Sequence, residues 1–212
     1  MTSPARTGEA PFRVLVVCTG NICRSPMAEQ LLRARLVELG IPAEVSSAGS
    51  RAMVGDAMTP EAAAVSRRHG GGDGAHVAQQ LTEQLVSSAD LVLTASREHR
   101  SAVVGLHPRA ARYSYTLNQF ARLLEPLDNE ADGADGSLTG NDAQAASPMR
   151  LRALVTEVAA TRGFSPPPAH PADDDIEDPY RRPAEVYDRV GDLVDNAVTT
   201  IADAFAAAIR RN

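Results

Sequence analysis

Residues 12–39 admit few folds. Phe12-Arg13-Val14-Leu15-Val16-Val17 is an apolar, β-branched run that reads as a buried strand. From Met27 onward, Leu31, Leu32, Leu36 and Leu39 recur at helical spacing, and Gly40 supplies a stop. Between them lies only Cys18-Thr19-Gly20-Asn21-Ile22-Cys23-Arg24-Ser25-Pro26, with Ser25 placed to cap the helix and Pro26 suited to its first position. A second strand is expected at Ala43–Gly49 after the Ile41-Pro42 turn. Strand, helix and strand within so short a span make a right-handed βαβ unit with parallel strands.

A loop wrapped over a helix N-terminus gathers backbone N–H groups into one bowl that accepts a phosphate-sized anion. Here the bowl is Thr19, Gly20, Asn21, Ile22, Cys23, Arg24 and Ser25. Gly20 permits close approach, Asn21 tolerates a left-handed turn, and Arg24 offers a planar fork to two phosphate oxygens. Cys18 sits where those amides and Arg24 would stabilise a thiolate, and Ser25 can hydrogen-bond the sulfur. A thiolate beneath a bound phosphate points to nucleophilic attack on phosphorus. The bland reading, a core cysteine and a surface arginine, leaves Gly20-Asn21 and Ser25-Pro26 unexplained.

The rest of the chain repeats the alternation. Pro60–His69 reads as a helix capped by Thr59, Ala89–Thr94 as a third strand, Arg97–Gly105 as a helix, Ala111–Leu117 as a fourth strand and Asn118–Leu124 as a helix. Pro148–Arg162 returns to helical spacing. Pro183–Ile209 is a long final helix with a stripe that includes Val186, Val190, Leu193, Val194, Val198, Ile201 and Phe205. The fold expected is α/β: a single domain with a small four-stranded parallel sheet, helices on both faces, and Rossmann-like topology. Residues 1–11 read as a disordered lead-in and 12–209 as the domain. Stretches about 125–147 and 163–175, rich in Asp, Gly and Pro, read as mobile elaborations.

Composition narrows the classes further. The chain has 212 residues, a 43% apolar fraction and no tryptophan, so its core must rest on Ala, Val and Leu. A net charge of −6 argues against general nucleic-acid binding. No apolar run approaches the ~20 residues of a membrane span, and residues 1–11 lack the apolar centre of a signal peptide. Cytoplasmic residence is the expectation, with secretion without a signal peptide left open. Cys18 and Cys23, the only cysteines, share one loop, and the histidines are scattered; no metal site and no cofactor are expected.

Val-Cys-Thr-Gly-Asn-Ile-Cys-Arg-Ser-Pro-Met-Ala-Glu, with Cys-x5-Arg-Ser after the first strand, resembles the signature loop of the low-molecular-weight protein tyrosine phosphatases of bacterial type. Asp178-Pro179-Tyr180, just before the last helix, resembles that family's second motif. The resemblance implies that Cys18 is the nucleophile and that Arg24 holds the phosphoryl oxygens. Asp178 would protonate the leaving oxygen and then activate water, and Tyr180 would line the cleft opposite Met53. Met53 stands where the family often carries an aromatic. Ser47-Ala48-Gly49-Ser50 and His76-Val77-Ala78-Gln79-Gln80-Leu81 resemble segments that buttress the loop, which makes Ser47 and His76 candidate supports of Asn21; Gln79 replaces the family's arginine.

The implied activity is hydrolysis of phosphotyrosine, in a protein or a small aryl phosphate, through a phosphocysteine intermediate without metal. The expected protein is a monomer or weak dimer with no nucleic-acid or membrane partner. Cys23 could form a reversible bond with Cys18 on oxidation or be a passive small side chain. Two alternatives remain at this level: an arsenate reductase using an external thiol, since no cysteine follows Cys23, and a phosphotyrosine-binding scaffold without turnover.

Overall fold

The computed structural model describes residues 10–72, 74–128 and 140–211. Strand β1 (Phe12–Cys18) lies inside a four-stranded parallel sheet of order β2-β1-β3-β4, flanked by β2 (Ala43–Gly49) and β3 (Leu91–Thr94), with β4 (Ser114–Thr116) at the edge. Val14 pairs with Val45 on one side and Leu91 on the other; Cys18, the last residue of β1, pairs with Gly49. The strand order reverses at β1, with β2 added on one side and β3 on the other, and in open α/β sheets such a switch point forms a crevice at the carboxyl ends of the strands. Cys18 opens into that crevice.

The two-residue period of β1 divides the core. Phe12, Val14 and Val16 face a large cluster built with α1 (Arg24–Glu38), α5 (Leu117–Asp128), α6 (Gly140–Thr161) and α7 (Ala184–Arg210). Leu15 and Val17 face a smaller one with Val86 of α3 (Glu83–Ser88) and Val103 of α4 (Arg97–Leu106). Helices therefore cover both faces of the sheet. Helix α2 (Pro60–Arg68) packs near α1 and α7, its first turn capped by Thr59, whose side chain accepts from Ala62 N. Phe12 meets Phe205 of α7 edge-on at 5.6 Å between ring centroids.

Several elements depart from the sequence reading. α1 begins at Arg24, with Cys23 at the cap position and no side-chain cap; Ser25 is committed to the sulfur described below. Leu39 and Leu193, expected on buried stripes, are each 44% exposed. α3 is an added helix, announced only by Thr82, which caps it, and Glu83 in its first turn. The start of the expected fourth strand is a 3-10 turn at Pro108–Arg112, which leaves β4 three residues long. α6 starts at Gly140, so Pro148 lies inside it. Residues 1–9 of the expected lead-in, Asp73 of the glycine-rich stretch and 129–139 of the expected elaboration lie outside the described residues. Among the described residues, no helix is long and apolar enough to cross a membrane.

Candidate active site

The loop after β1 turns its carbonyls outward and ties down each of them. Ser50 N donates to Cys18 O, Arg51 N to Thr19 O, Met53 N to Gly20 O, Thr59 N to Ile22 O and Met27 N to Cys23 O, at 2.9–3.2 Å. His76 Nε2 meets Asn21 O at 2.6 Å. The N–H groups of Gly20, Asn21, Ile22, Cys23 and Arg24 donate to no protein acceptor among the described residues. Polar backbone groups in a buried loop must find partners. This arrangement reserves the donors for one anion at the N-terminus of α1.

The reversal depends on Asn21, which adopts φ 57° and is fully buried. Its side chain is held at both ends: Nδ2 donates to Ser25 Oγ at 2.9 Å and to Ser47 Oγ at 2.8 Å, while Oδ1 accepts from Gln79 N at 2.9 Å. Such bonds offset the cost of a left-handed non-glycine residue. Ser47 Oγ donates to Glu29 Oε2 at 2.5 Å, and Glu29 lies 3.9 Å from His76 Nδ1. His76 thus reaches Asn21 directly and Ser47 only through Glu29. Ser25 Oγ accepts from Asn21 and lies 3.0 Å from Cys18 Sγ, so its own proton is free to stabilise negative charge on sulfur. A Cβ on Gly49 would meet Thr19 O at 2.5 Å, which explains glycine there; on Gly20 it would make ordinary contact with Ile22 at 3.4 Å. Gly20 is therefore not forced by crowding. It leaves the mouth between Ile22 and Met53 open.

The mouth is a cavity of about 160 Å³ lined by Cys18, Thr19, Gly20, Ile22, Cys23, Arg24, Arg51, Met53, Asp178 and Tyr180. The fold thus gathers the two separate sequence motifs into one cleft. Arg24 is only 6% exposed, and its Nη2 is 2.7 Å from Asp178 Oδ2. Nη1 donates to Ile176 O at 3.1 Å and Nη2 to Thr19 Oγ1 at 3.3 Å; Nε has no acceptor among the described residues. Asp178 is half-exposed and accepts from Tyr180 N at 3.2 Å.

Cys18 and Cys23 are free, buried thiols. Burial pushes the Cys23 thiol up to about 11, against partial relief from Thr59 and Tyr187. At neutral pH it is almost wholly protonated, which makes it a slow nucleophile towards an oxidised partner. Among the described residues no cluster of His, Cys, Asp or Glu could hold a metal ion.

Sequence reasoning missed Arg51 and Glu29, and also His99, which completes a second line of support. His99 Nε2 lies 2.8 Å from Thr19 Oγ1, and its Nδ1 lies 2.7 Å from Ser96 Oγ. Burial first, and then the Arg24 charge, push this imidazole down to about 4, against the opposing carboxylates of Glu98, Asp178 and Asp175. The ring is neutral at physiological pH. Unfolded, it binds a proton near pH 6.5; folded, only near 4. Stability therefore falls with pH across that window by about 3 kcal/mol, and this contribution changes no further below it. Urea unfolding at pH 7 and pH 4 should show His99→Gln losing about 3 kcal/mol less than the wild type. Equal losses would remove His99 as the cause. Its sequence signal was Ser96, three residues upstream, which caps α4.

A family model described as low molecular weight phosphotyrosine protein phosphatase matches residues 13–133. The chain belongs to that family. It is 43% identical over 123 residues to a probable low molecular weight protein-tyrosine-phosphatase, AmsI, of Erwinia amylovora, a match covering 56% of this chain and 82% of the relative. It is 34% identical over 125 residues to the protein-arginine-phosphatase of Bacillus subtilis, again covering 56% and 82%. The crystal structure of the Erwinia amylovora tyrosine phosphatase AmsI aligns with a TM-score of 0.62 at 25% identity, over 93% of this chain and 95% of that one. For this member of the phosphatase family, the matched region covers the loop after β1 and ends well before Asp178.

Proposed function

We propose that this chain is a cysteine-dependent protein tyrosine phosphatase, with residues 12–209 as its catalytic domain. The observation that carries the reading is the meeting, in one cleft, of Cys18, the unspent loop amides, Arg24 and Asp178. The phosphoryl group enters the bowl, its oxygens taking the N–H groups of residues 20–24 and the Arg24 fork. Cys18 thiolate attacks phosphorus in line. An S–P bond forms as the aryl P–O bond breaks, and Asp178 delivers its proton to the leaving oxygen. Asp178, now a carboxylate, takes a proton from water as that water cleaves the S–P bond and frees phosphate. Phosphate displaces Asp178 from Arg24, which turns the carboxyl towards the leaving group. Ser47 and His76, acting through Asn21, keep the bowl in shape.

Met53, Ile22 and Tyr180 supply apolar walls suited to a phenyl ring. The arginine phosphatase among the relatives raises a second substrate, phosphoarginine. Its guanidino N–H groups would face Ile22 and Met53 with Asp178 as the one carboxylate among the lining residues. An unpaired buried donor costs about 1–3 kcal/mol. Matched phosphotyrosine and phosphoarginine peptides should therefore differ by roughly tenfold or more in kcat/KM, in favour of tyrosine. Equal or reversed values would overturn the aryl assignment. An arsenate-reducing relay through further cysteines has no thiol to use, since the chain has only two. A scaffold that binds without turnover would have no use for an acid at Arg24.

A further inference from the structure

Residues between α6 and α7 carry Asp178, and their hold on the fold changes abruptly along the segment. Arg122 of α5 donates through Nη1 to Pro166 O at 2.8 Å and through Nη2 to both carboxylate oxygens of Asp174, each at 3.2 Å. Asp174 is 7% exposed, so Arg122 compensates a buried charge. One residue on, Asp175 is gripped by Arg97, the first residue of α4. Arg97 Nη2 and Nε reach its carboxylate at 2.8–3.2 Å, and Arg97 N donates to Oδ1 at 2.8 Å. Burial raises the Asp175 carboxyl, but the Arg97 bonds more than reverse this and hold it below the usual carboxylate range. Asn118 Nδ2 donates to Asp173 O at 3.0 Å, and Ile176 N to Ala95 O at 2.8 Å. Ile176 is 3% exposed and its carbonyl accepts from Arg24.

Beyond Ile176 the anchoring thins to one exposed pair, Arg189 Nη2 of α7 donating to Glu177 Oε1 at 3.1 Å. Glu177 and Asp178 are exposed, and the Asp178 carboxyl meets only Arg24 and the nearby Tyr180 N. Once phosphate takes Arg24, nothing on the acid's own side chain fixes it towards the leaving group. Its position is then inherited from the backbone on either side, residues 173–176 upstream and the buried Pro179 with core-packed Tyr180 downstream, of which the upstream side carries the charged pairs. Two residues of chain span up to about 7 Å, whereas proton transfer needs heavy atoms within about 2.6–3.2 Å.

We propose that Arg122 and Arg97 are positioning residues for proton transfer: their carboxylate pairs with Asp174 and Asp175 pin the chain just upstream of Asp178 and set where that acid stands above Cys18. The proposal rests on the phosphatase reading. It differs from a general structural role in which bond-breaking it touches. An ester whose leaving group needs a proton should depend on the pairs, and one whose leaving group departs as a stable anion should not.

The test compares kcat/KM on phenyl phosphate and on 2,4-dinitrophenyl phosphate for the wild type, Arg97→Met, Arg122→Met and the double variant Arg122→Met with Asp174→Asn. The double variant removes both charges of the buried pair and leaves no unpaired charge. Phenyl phosphate turnover should fall by about tenfold to 10²-fold in Arg97→Met and in the double variant, and dinitrophenyl phosphate turnover by less than about twofold. Inhibition by inorganic phosphate should be no weaker than in the wild type, since the loop amides and Arg24 are untouched. Equal losses on both esters, or no loss on either, in a double variant with a wild-type melting curve would overturn the proposal. A wild type that hydrolyses neither ester would overturn the phosphatase reading and this one with it; an active wild type with unselective variants would overturn this one alone.

Discussion

Replacing Cys18 by serine should lower p-nitrophenyl phosphate turnover by roughly 10⁴- to 10⁶-fold, the scale seen when a covalent nucleophile is lost. The geometry says why no rescue is available. The side chain hydrogen-bonded to the sulfur is that of Ser25, with Oγ at 3.0 Å, and a hydroxyl cannot act as a base for a serine. A thiol can deliver its anion at neutral pH, and an alcohol cannot without such a base. The loop amides and Arg24 remain in place, so inorganic phosphate should bind Cys18→Ser about as well as the wild type by calorimetry. Turnover that survives Cys18→Ser would sink the phosphocysteine mechanism, and lost phosphate binding would mean that the cradle depends on sulfur.

Replacing Asp178 by alanine should cut kcat/KM on phenyl phosphate by roughly 10²- to 10⁴-fold, the usual contribution of a general acid. A second effect should run the other way. Asp178 occupies the Arg24 guanidinium at 2.7 Å, so it competes with the incoming phosphoryl group. Removing it frees the fork, and inorganic phosphate should inhibit Asp178→Ala at lower concentration than it inhibits the wild type. Slower chemistry with tighter phosphate binding is a pair of results that simple unfolding of the loop would not give. Unchanged turnover would remove Asp178 from the acid's role.

What could be read from the sequence was local in origin. The strand at Phe12, the helix after Met27 and the Cys18–Arg24 spacing are encoded in consecutive residues whose periods can be counted. Asp178 was readable only through its likeness to a motif, since the chain holds 27 carboxylates and nothing local distinguishes one from another. Ser25 misled because a serine before a proline reads as a cap; after the left-handed turn at Asn21 the helix starts two residues earlier, at Arg24, and the Ser25 hydroxyl lies against the sulfur. Thr19 with His99, and Arg122 with Asp174, are 80 and 52 residues apart and carry no spacing signal at all. They exist only once the sheet has brought the ends of β1, β3 and β4 side by side. The early start of α6 was hidden for another reason: the residues ahead of Pro148 are small and polar, with no apolar stripe to count.

The six outward carbonyls of the loop have a consequence for how the molecule comes into being. Every partner that fixes them belongs to residues 27–76, and the Asn21 side chain is completed by Gln79. The proposed proton donor, Asp178, follows about a hundred residues later. A ribosome adding roughly 5–20 residues per second delivers the parts of the anion cradle on the order of 10 s before the acid. The residues that shape the hollow are thus all made before the proposed acid, but the strands and helices that close the core around β1 follow them, so cradle and reaction centre are completed together when the last helix docks.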